Sequence, residues 1–212
     1  MACNDQQLTA LSCRGFAREL ASKTSVPGGG GAAALAGALG TALCSMVGEF
    51  TLGKKKYASV EEDIKALLSR ADTLRERLMD LVELDAALFA PLAAAYAIPK
   101  DAPGREETLE SATKQACTAP YEMVKCCGEA VELLEEMLEK GSVMLLSDVG
   151  CGALLAKAAM ECAAMNVYIN TKSLRDRPYA GHLETEMEEI LHTQGQKADR
   201  IARTVLSRVK GE

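Results

Sequence analysis

Tryptophan is absent from this 212-residue chain, and other aromatics are scarce, with three Phe and five Tyr. Strands draw on aromatic and β-branched residues. Here the 48% hydrophobic share rests largely on Ala, Leu and Met, so an all-β fold is excluded. The same apolar content excludes a disordered chain. An excess of positive charge is also missing. Lys and Arg number 24 against 30 Asp and Glu, a net charge of −6, which is no footprint for nucleic acid. The only two histidines, His182 and His192, lie in the charged C-terminal stretch, away from every other unusual residue. A Ser-His-Asp or Cys-His triad has no support, and without a His or Cys cluster at ligand spacing no metal site is expected.

No C-x-x-C pair occurs among Cys3, Cys13, Cys44, Cys117, Cys126, Cys127, Cys151 and Cys162, several of which fall on apolar helical positions. The N-terminus has no basic stretch leading into an apolar run. The expectation is a reduced, cytoplasmic protein with free thiols. From Val26 to Gly48 there is no charge at all, over a length that could cross a bilayer. That run is mostly Gly and Ala, interrupted by Thr41 and Ser45, whereas spanning helices carry more Leu, Ile, Phe and Val. A closely packed buried helix is the better reading, and no membrane association is expected.

What the chain does have is helical periodicity nearly everywhere outside its Gly and Pro punctuation. Leu8, Leu11, Phe16 and Leu20 mark a short amphipathic helix, and Ser25 to Gly31 is a breaker. A helix of about residues 32–50 follows, whose Ala33, Gly37 and Gly40 invite close approach of another helix. A long helix starts near Ser59 and keeps Ile64, Leu67, Leu74, Leu78, Leu81 and Leu88 in register, with Pro91 expected to bend or interrupt it. Helix resumes near Arg105, with a break or kink at Pro120, and ends at Gly141. Another begins near Ser147-Asp148, which read first as an N-cap, and a last one carries Leu183, Met187, Ile201 and Val205. The predicted fold is all-α, an elongated bundle of long helices in a single domain over residues 1–212.

Functional residues should break this pattern. Asp85, Glu49, Asn166 and Asn170 each continue an otherwise core-facing stripe, so each is either a structural hydrogen bond or part of a wet cavity. Asp148 has Gly150 and Gly152 beside it, which leave room for a backbone or a ligand. The turn Pro27-Gly28-Gly29-Gly30-Gly31 formally fits a dinucleotide fingerprint, but no strand precedes it and no Gly-Lys-Ser/Thr follows. What survives is a bare helix N-terminus facing a polar or anionic group, or simply a tight helix crossing. Lys54-Lys55-Lys56-Tyr57 is either a solvated connector or a basic lip beside an aromatic ring.

Taken in order, several motifs resemble the cyclodeaminase/cyclohydrolase family of folate enzymes. They are Pro27-Gly28-Gly29-Gly30 with Ala33 to Gly40 and Ser45 to Gly48, Gly53 to Tyr57, Asp85 with Phe89, Pro99-Lys100, Ser147-Asp148, and Asn166 to Asn170. Two departures stand out: Gly31 where members often have Ser, and Ser142 after Gly141 where they often have Asn. The resemblance implies an all-helical homodimer with a cleft open to both subunits. It implies closure of 5-formiminotetrahydrofolate to 5,10-methenyltetrahydrofolate with release of ammonia, or alternatively hydrolysis of the methenyl bridge to 10-formyltetrahydrofolate. Neither reaction needs a cofactor beyond the tetrahydrofolate substrate, polyglutamylated or not.

On this reading Asp148 is the acid/base, with Asp85 and Glu49 as further carboxylates. Lys54, Lys55 and Lys100 meet the glutamate tail, and Tyr57 meets a flat ring. Ser25, Pro27, Gly28, Gly29, Gly30, Ser147, Asn166 and Asn170 supply the polar edges. The enzyme reading predicts that Asp148, the glycine turn, Tyr57 and a lysine converge on one cavity. A non-catalytic helical folate-binding or interaction module predicts that they scatter.

Overall fold

The computed structural model describes residues 7–212, so Cys3 and the first residues of the expected domain lie outside the described residues. Six α-helices account for most of the chain, and no strand occurs among the described residues. They are α1 (Cys13–Leu20), α2 (Gly29–Glu49), α3 (Glu61–Tyr96), α4 (Arg105–Lys140), α5 (Leu146–Thr171) and α6 (Arg177–Lys210). At 36 residues each, α3 and α4 are about 54 Å long, so the all-α bundle is elongated.

Helices α2, α3, α4 and α5 form an up-down-up-down bundle, and α6 lies along the groove between α4 and α5. The pairings fix the directions. Gly30 faces Asp85 and Gly48 faces Leu68, so α2 and α3 are antiparallel. Gly29 faces Asn166 and Gly40 faces Gly152, so α2 and α5 are antiparallel too. Apolar side chains at helical spacing, among them Leu78, Leu81, Met123, Leu134 and Met160, fill the space between and are fully buried. Burying each such side chain contributes roughly 1.5–3 kcal/mol. A smaller apolar cluster of Leu92, Ala95, Ala112 and Ala116 holds the far ends of α3 and α4 together.

Helix α2 is the bundle's closest-packed member. A Cβ at Gly40 would lie 2.9 Å from the Gly152 carbonyl oxygen and 3.2 Å from the Ala156 nitrogen, so only glycine allows this crossing. The span Gly29–Glu49 and the span Val143–Thr171 are both long and apolar enough to cross a membrane, with 56% and 39% of the most apolar 18-residue stretch of each buried inside the protein. What is left uncovered is an apolar face, described below with the site.

Several local expectations are corrected. Helix α2 begins at Gly29, inside the glycine run rather than after it. Of the two outcomes expected at each proline, interruption is excluded: α3 runs through Pro91 and α4 through Pro120. A proline removes one N–H, a loss the helix carries both at exposed Pro91 and at buried Pro120. Ser147 and Asp148 are not the N-cap of α5; the cap is Leu145, after a short 3-10 turn, and both residues sit in the first helical turn. Cys13, Cys44, Cys117, Cys126, Cys127, Cys151 and Cys162 are free thiols.

Candidate active site

The bare start of α2 is the first feature that α2 and its neighbours build. Its N-cap is Gly28, which offers no side-chain hydrogen bond to the first turn. The cap comes instead from another helix. The Asp85 carboxylate of α3 lies flush against Gly30, so close that a Cβ there would fall 2.5 Å from Oδ2. Burial pushes the Asp85 carboxyl above its ordinary value of 3.8, and the N–H of Gly31 pulls against that shift.

Around this pair is a cavity of about 130 Å³. Ser25, Gly28, Gly29 and Gly30 form one wall, Asp85 and Phe89 of α3 the second, and Asn166, Ile169 and Asn170 of α5 the third. Ala116 and Pro120 of α4 close it. Pro27 is buried beneath the turn rather than in the lining. No Lys, Arg or His reaches this lining, and Asp85 is its one charged group.

Both asparagines are oriented by backbone. Asn166 Nδ2 donates to the Cys162 carbonyl at 2.8 Å, and Asn170 Nδ2 donates to the Ala116 carbonyl at 3.3 Å. The second bond depends on Pro120. In a helix the Ala116 carbonyl would accept from the N–H four residues on, and proline has none. Mid-helix Pro120 therefore leaves that carbonyl open to Asn170. Ala116, Pro120 and Ile169 were missed as site residues by sequence reasoning. The signals were there in a proline that interrupts nothing and an isoleucine, 67% exposed, between two asparagines.

The remaining predicted residues gather elsewhere. At the far end of α2, Lys54 Nζ is 3.4 Å from Ser142 Oγ, and the Ser142 N–H donates to Thr51 Oγ1 at 2.9 Å. The Val143 N–H donates to the Tyr57 hydroxyl at 3.1 Å and holds its pKa below the usual tyrosine value. Lys56 Nζ lies 5.4 Å from the centre of the Tyr57 ring. Ser147 and Asp148 follow within the first turn of α5, and Lys55, next to Lys54 in the chain, is exposed. Glu49, expected on a core-facing stripe, is exposed because it is the last residue of α2. Lys100 stands on the exposed α3–α4 connection, at the glycine end but outside the cavity lining.

Within one chain the expected residues therefore form two clusters at opposite ends of the bundle, so their convergence on one cavity requires two subunits. Asp148 and Asn166 are eighteen residues apart on one straight helix, about 27 Å at its 1.5 Å rise per residue. Between the clusters α2 and α5 present an exposed apolar face: Leu39 is 54% exposed on α2 and Met165 and Ile169 are each 67% exposed on α5, with Phe50, 58% exposed, just after the last turn of α2. The charged Lys157 of α5 turns away from this face to pair with Asp199 of α6 at 2.6 Å. Ile169 belongs both to this face and to the glycine-end cavity. Among the described residues no group of His, Cys, Asp or Glu is arranged to hold a metal ion.

Comparison with known proteins shows the family to which this fold belongs. The sequence model described as formiminotransferase-cyclodeaminase matches residues 12–189. A methenyltetrahydrofolate cyclohydrolase of Methylorubrum extorquens is 40% identical over 92% of this chain and 95% of its own. The formimidoyltransferase-cyclodeaminase of Mus musculus is 31% identical over 81% of this chain, which spans only 32% of that longer protein. The crystal structure of formiminotetrahydrofolate cyclodeaminase from Thermotoga maritima superposes with a TM-score of 0.80 at 29% identity, covering 95% of this chain and 96% of its own. By the extent of these matches and by its fold, the chain belongs to the formiminotransferase-cyclodeaminase family.

Proposed function

We propose that this protein hydrolyses the methenyl bridge of 5,10-methenyltetrahydrofolate to give 10-formyltetrahydrofolate. The observation that carries this reading is the cation-free, acceptor-lined cavity at the bare start of α2, in a chain similar along nearly its whole length to a methenyltetrahydrofolate cyclohydrolase. The methenyl carbon lies between two nitrogens of a cationic amidinium. Water adds to it and loses a proton. The tetrahedral adduct then breaks its C–N5 bond as N5 takes up a proton and the adduct's hydroxyl gives up its own, leaving a neutral formyl group on N10 and one proton released overall. A positioned carboxylate accepts the first proton and returns one to N5. The chemistry calls for no cofactor besides the folate substrate.

The working unit in this proposal is an antiparallel homodimer joined through the α2–α5 face. Contiguous exposed apolar side chains mark an interaction surface, and a two-fold dimer makes it self-complementary. Leu39, the midpoint of α2, stands near the level where Gly40 meets Gly152 and Ala156, close to the midpoint of α5. A two-fold axis near that level turns the Asp148 end of the partner subunit's α5 toward the half of α5 that carries residues 166–170 in the first. Each glycine-end cavity is then completed by the partner's acid/base Asp148. The partner's Lys54, Lys55 and Tyr57 meet the aryl ring and glutamate tail, with Lys100 contributed from the cavity's own chain. Glu49 has no assigned step. A cytoplasmic location is part of the same proposal, and the free thiols support it.

Cyclodeamination is the second reading, favoured by the matching family model and by the likeness to the Thermotoga maritima enzyme. There N10 attacks the formimino carbon and ammonia leaves as the ring closes. The two are told apart with purified protein, by following the ultraviolet band of methenyltetrahydrofolate. The cyclohydrolase reading expects decay of that band faster than in buffer. The cyclodeaminase reading expects its appearance from 5-formiminotetrahydrofolate with stoichiometric ammonia. Folate binding without acceleration of either reaction leaves a binding module and overturns both.

A further inference from the structure

The glycine-end cavity holds more acceptors than any acid–base step requires, and their arrangement specifies what they face. A backbone carbonyl can only accept, so the atoms donating to Cys162 O and Ala116 O must be the amide nitrogens of Asn166 and Asn170. Each asparagine therefore has its Oδ1 left without a hydrogen bond among the described residues. The Asp85 carboxylate adds two more acceptor oxygens on the opposite wall, held in place against Gly30. Phe89 and Ile169 flank the opening with flat and branched apolar surface.

The three acceptor groups of this cavity, Asp85, Asn166 and Asn170, suit a flat group whose edge is rich in N–H donors. We propose, on the reading that the substrate is a folate, that Asp85 with Asn166 and Asn170 recognises the 2-amino and N3–H edge of the pterin ring. That edge has the geometry of a guanidine, and a carboxylate pairs with it through two parallel hydrogen bonds. Asp85 is then a binding residue rather than the acid/base, and the proton transfers remain with Asp148. The carboxylate's place against the first turn of α2 fits this division. It is fixed at the cavity wall by the glycine turn, whereas an acid/base must reach the bridge carbon beyond the ring.

The test uses 5-formyltetrahydrofolate and its analogue in which methyl replaces the 2-amino group, with affinities measured by calorimetry on the intact protein. The wild type should bind the analogue about 30-fold more weakly, the loss expected when a charge-assisted hydrogen bond is left unmade. Asp85→Asn should lose a similar factor toward the parent compound and discriminate between the two by less than about threefold. Its KM for methenyltetrahydrofolate should rise with kcat nearly unchanged. Should Asp85→Asn not fold, Asn170→Ala reads the same site, with a KM rise and unchanged kcat expected. Equal affinity of the wild type for both compounds overturns the assignment, as does a kcat collapse at unchanged KM in Asp85→Asn. A wild type that binds neither compound instead overturns the folate reading on which this one rests.

Discussion

The Asp85 carboxylate occupies the space that a side chain on residue 30 would need: an added Cβ would lie 2.5 Å from Oδ2 and 2.6 Å from Oδ1. The glycine turn and the carboxylate are therefore one device, in which a missing side chain on α2 admits a charged one from α3.

Gly30→Ala should accordingly damage binding more than folding. Alanine favours a helix over glycine by about 1 kcal/mol, which offsets part of the strain of moving Asp85. The expected result is a 10- to 100-fold loss of kcat/KM, about 1.4–2.8 kcal/mol, carried by KM. Gly181→Ala, where a Cβ meets nothing within 4 Å, serves as the control with unchanged rates.

Asp85 also imposes a pH signature on stability. Its folded pKa is raised by burial, so the charged form is disfavoured in the folded protein relative to the unfolded chain. That destabilisation is fully present above the folded pKa, and it fades as pH falls toward the ordinary value of 3.8. Asp85→Asn should raise the Tm of the ligand-free protein at pH 7, with the difference shrinking as the pH approaches 3.5. Calorimetric melts across that range check it, and a lower Tm for the variant at pH 7 contradicts it.

Pro120→Ala gives the Ala116 carbonyl a helical N–H and so a competitor to the Asn170 amide. One hydrogen bond of about 1 kcal/mol is at stake, so KM should rise roughly three- to tenfold with kcat within twofold. Initial rates at several substrate concentrations separate the two parameters.

Leu39→Glu introduces a charge at the centre of the α2–α5 face. Sedimentation velocity should show a dimer for the wild type and a monomer for the variant. The variant should retain helical circular dichroism and lose at least about tenfold in activity at low micromolar protein.

Much of the fold was legible in the sequence because helical periodicity and glycine punctuation are local signals. The apolar stripe of α3 and the small residues of α2 announced their packing directly. The individual oddities were legible too: Asp85 and Asn170 broke an apolar pattern and do line a cavity. What could not be read was which oddities meet. That depends on the antiparallel register of α2 with α5, which carries Asn166 to Gly29 and Asp148 to the other end of the bundle. Pro120 left break and kink both open for a related reason. Its local effect is a lost N–H, but whether the helix breaks depends on burial among neighbours that sequence spacing does not reveal.

In the proposed dimer each working site joins the glycine end of one subunit to the Asp148 end of the other. Mixing two impaired variants tests this directly. Asp85→Asn and Asp148→Asn are each assayed alone at substrate well below KM, then co-refolded in equal amounts and assayed again. Random reassortment makes half the dimers mixed, and each mixed dimer has one intact site of two, so activity should recover to about one quarter of the wild-type rate. Activity no higher than the mean of the two variants would place both residues in a site built by a single chain, and would contradict the shared site.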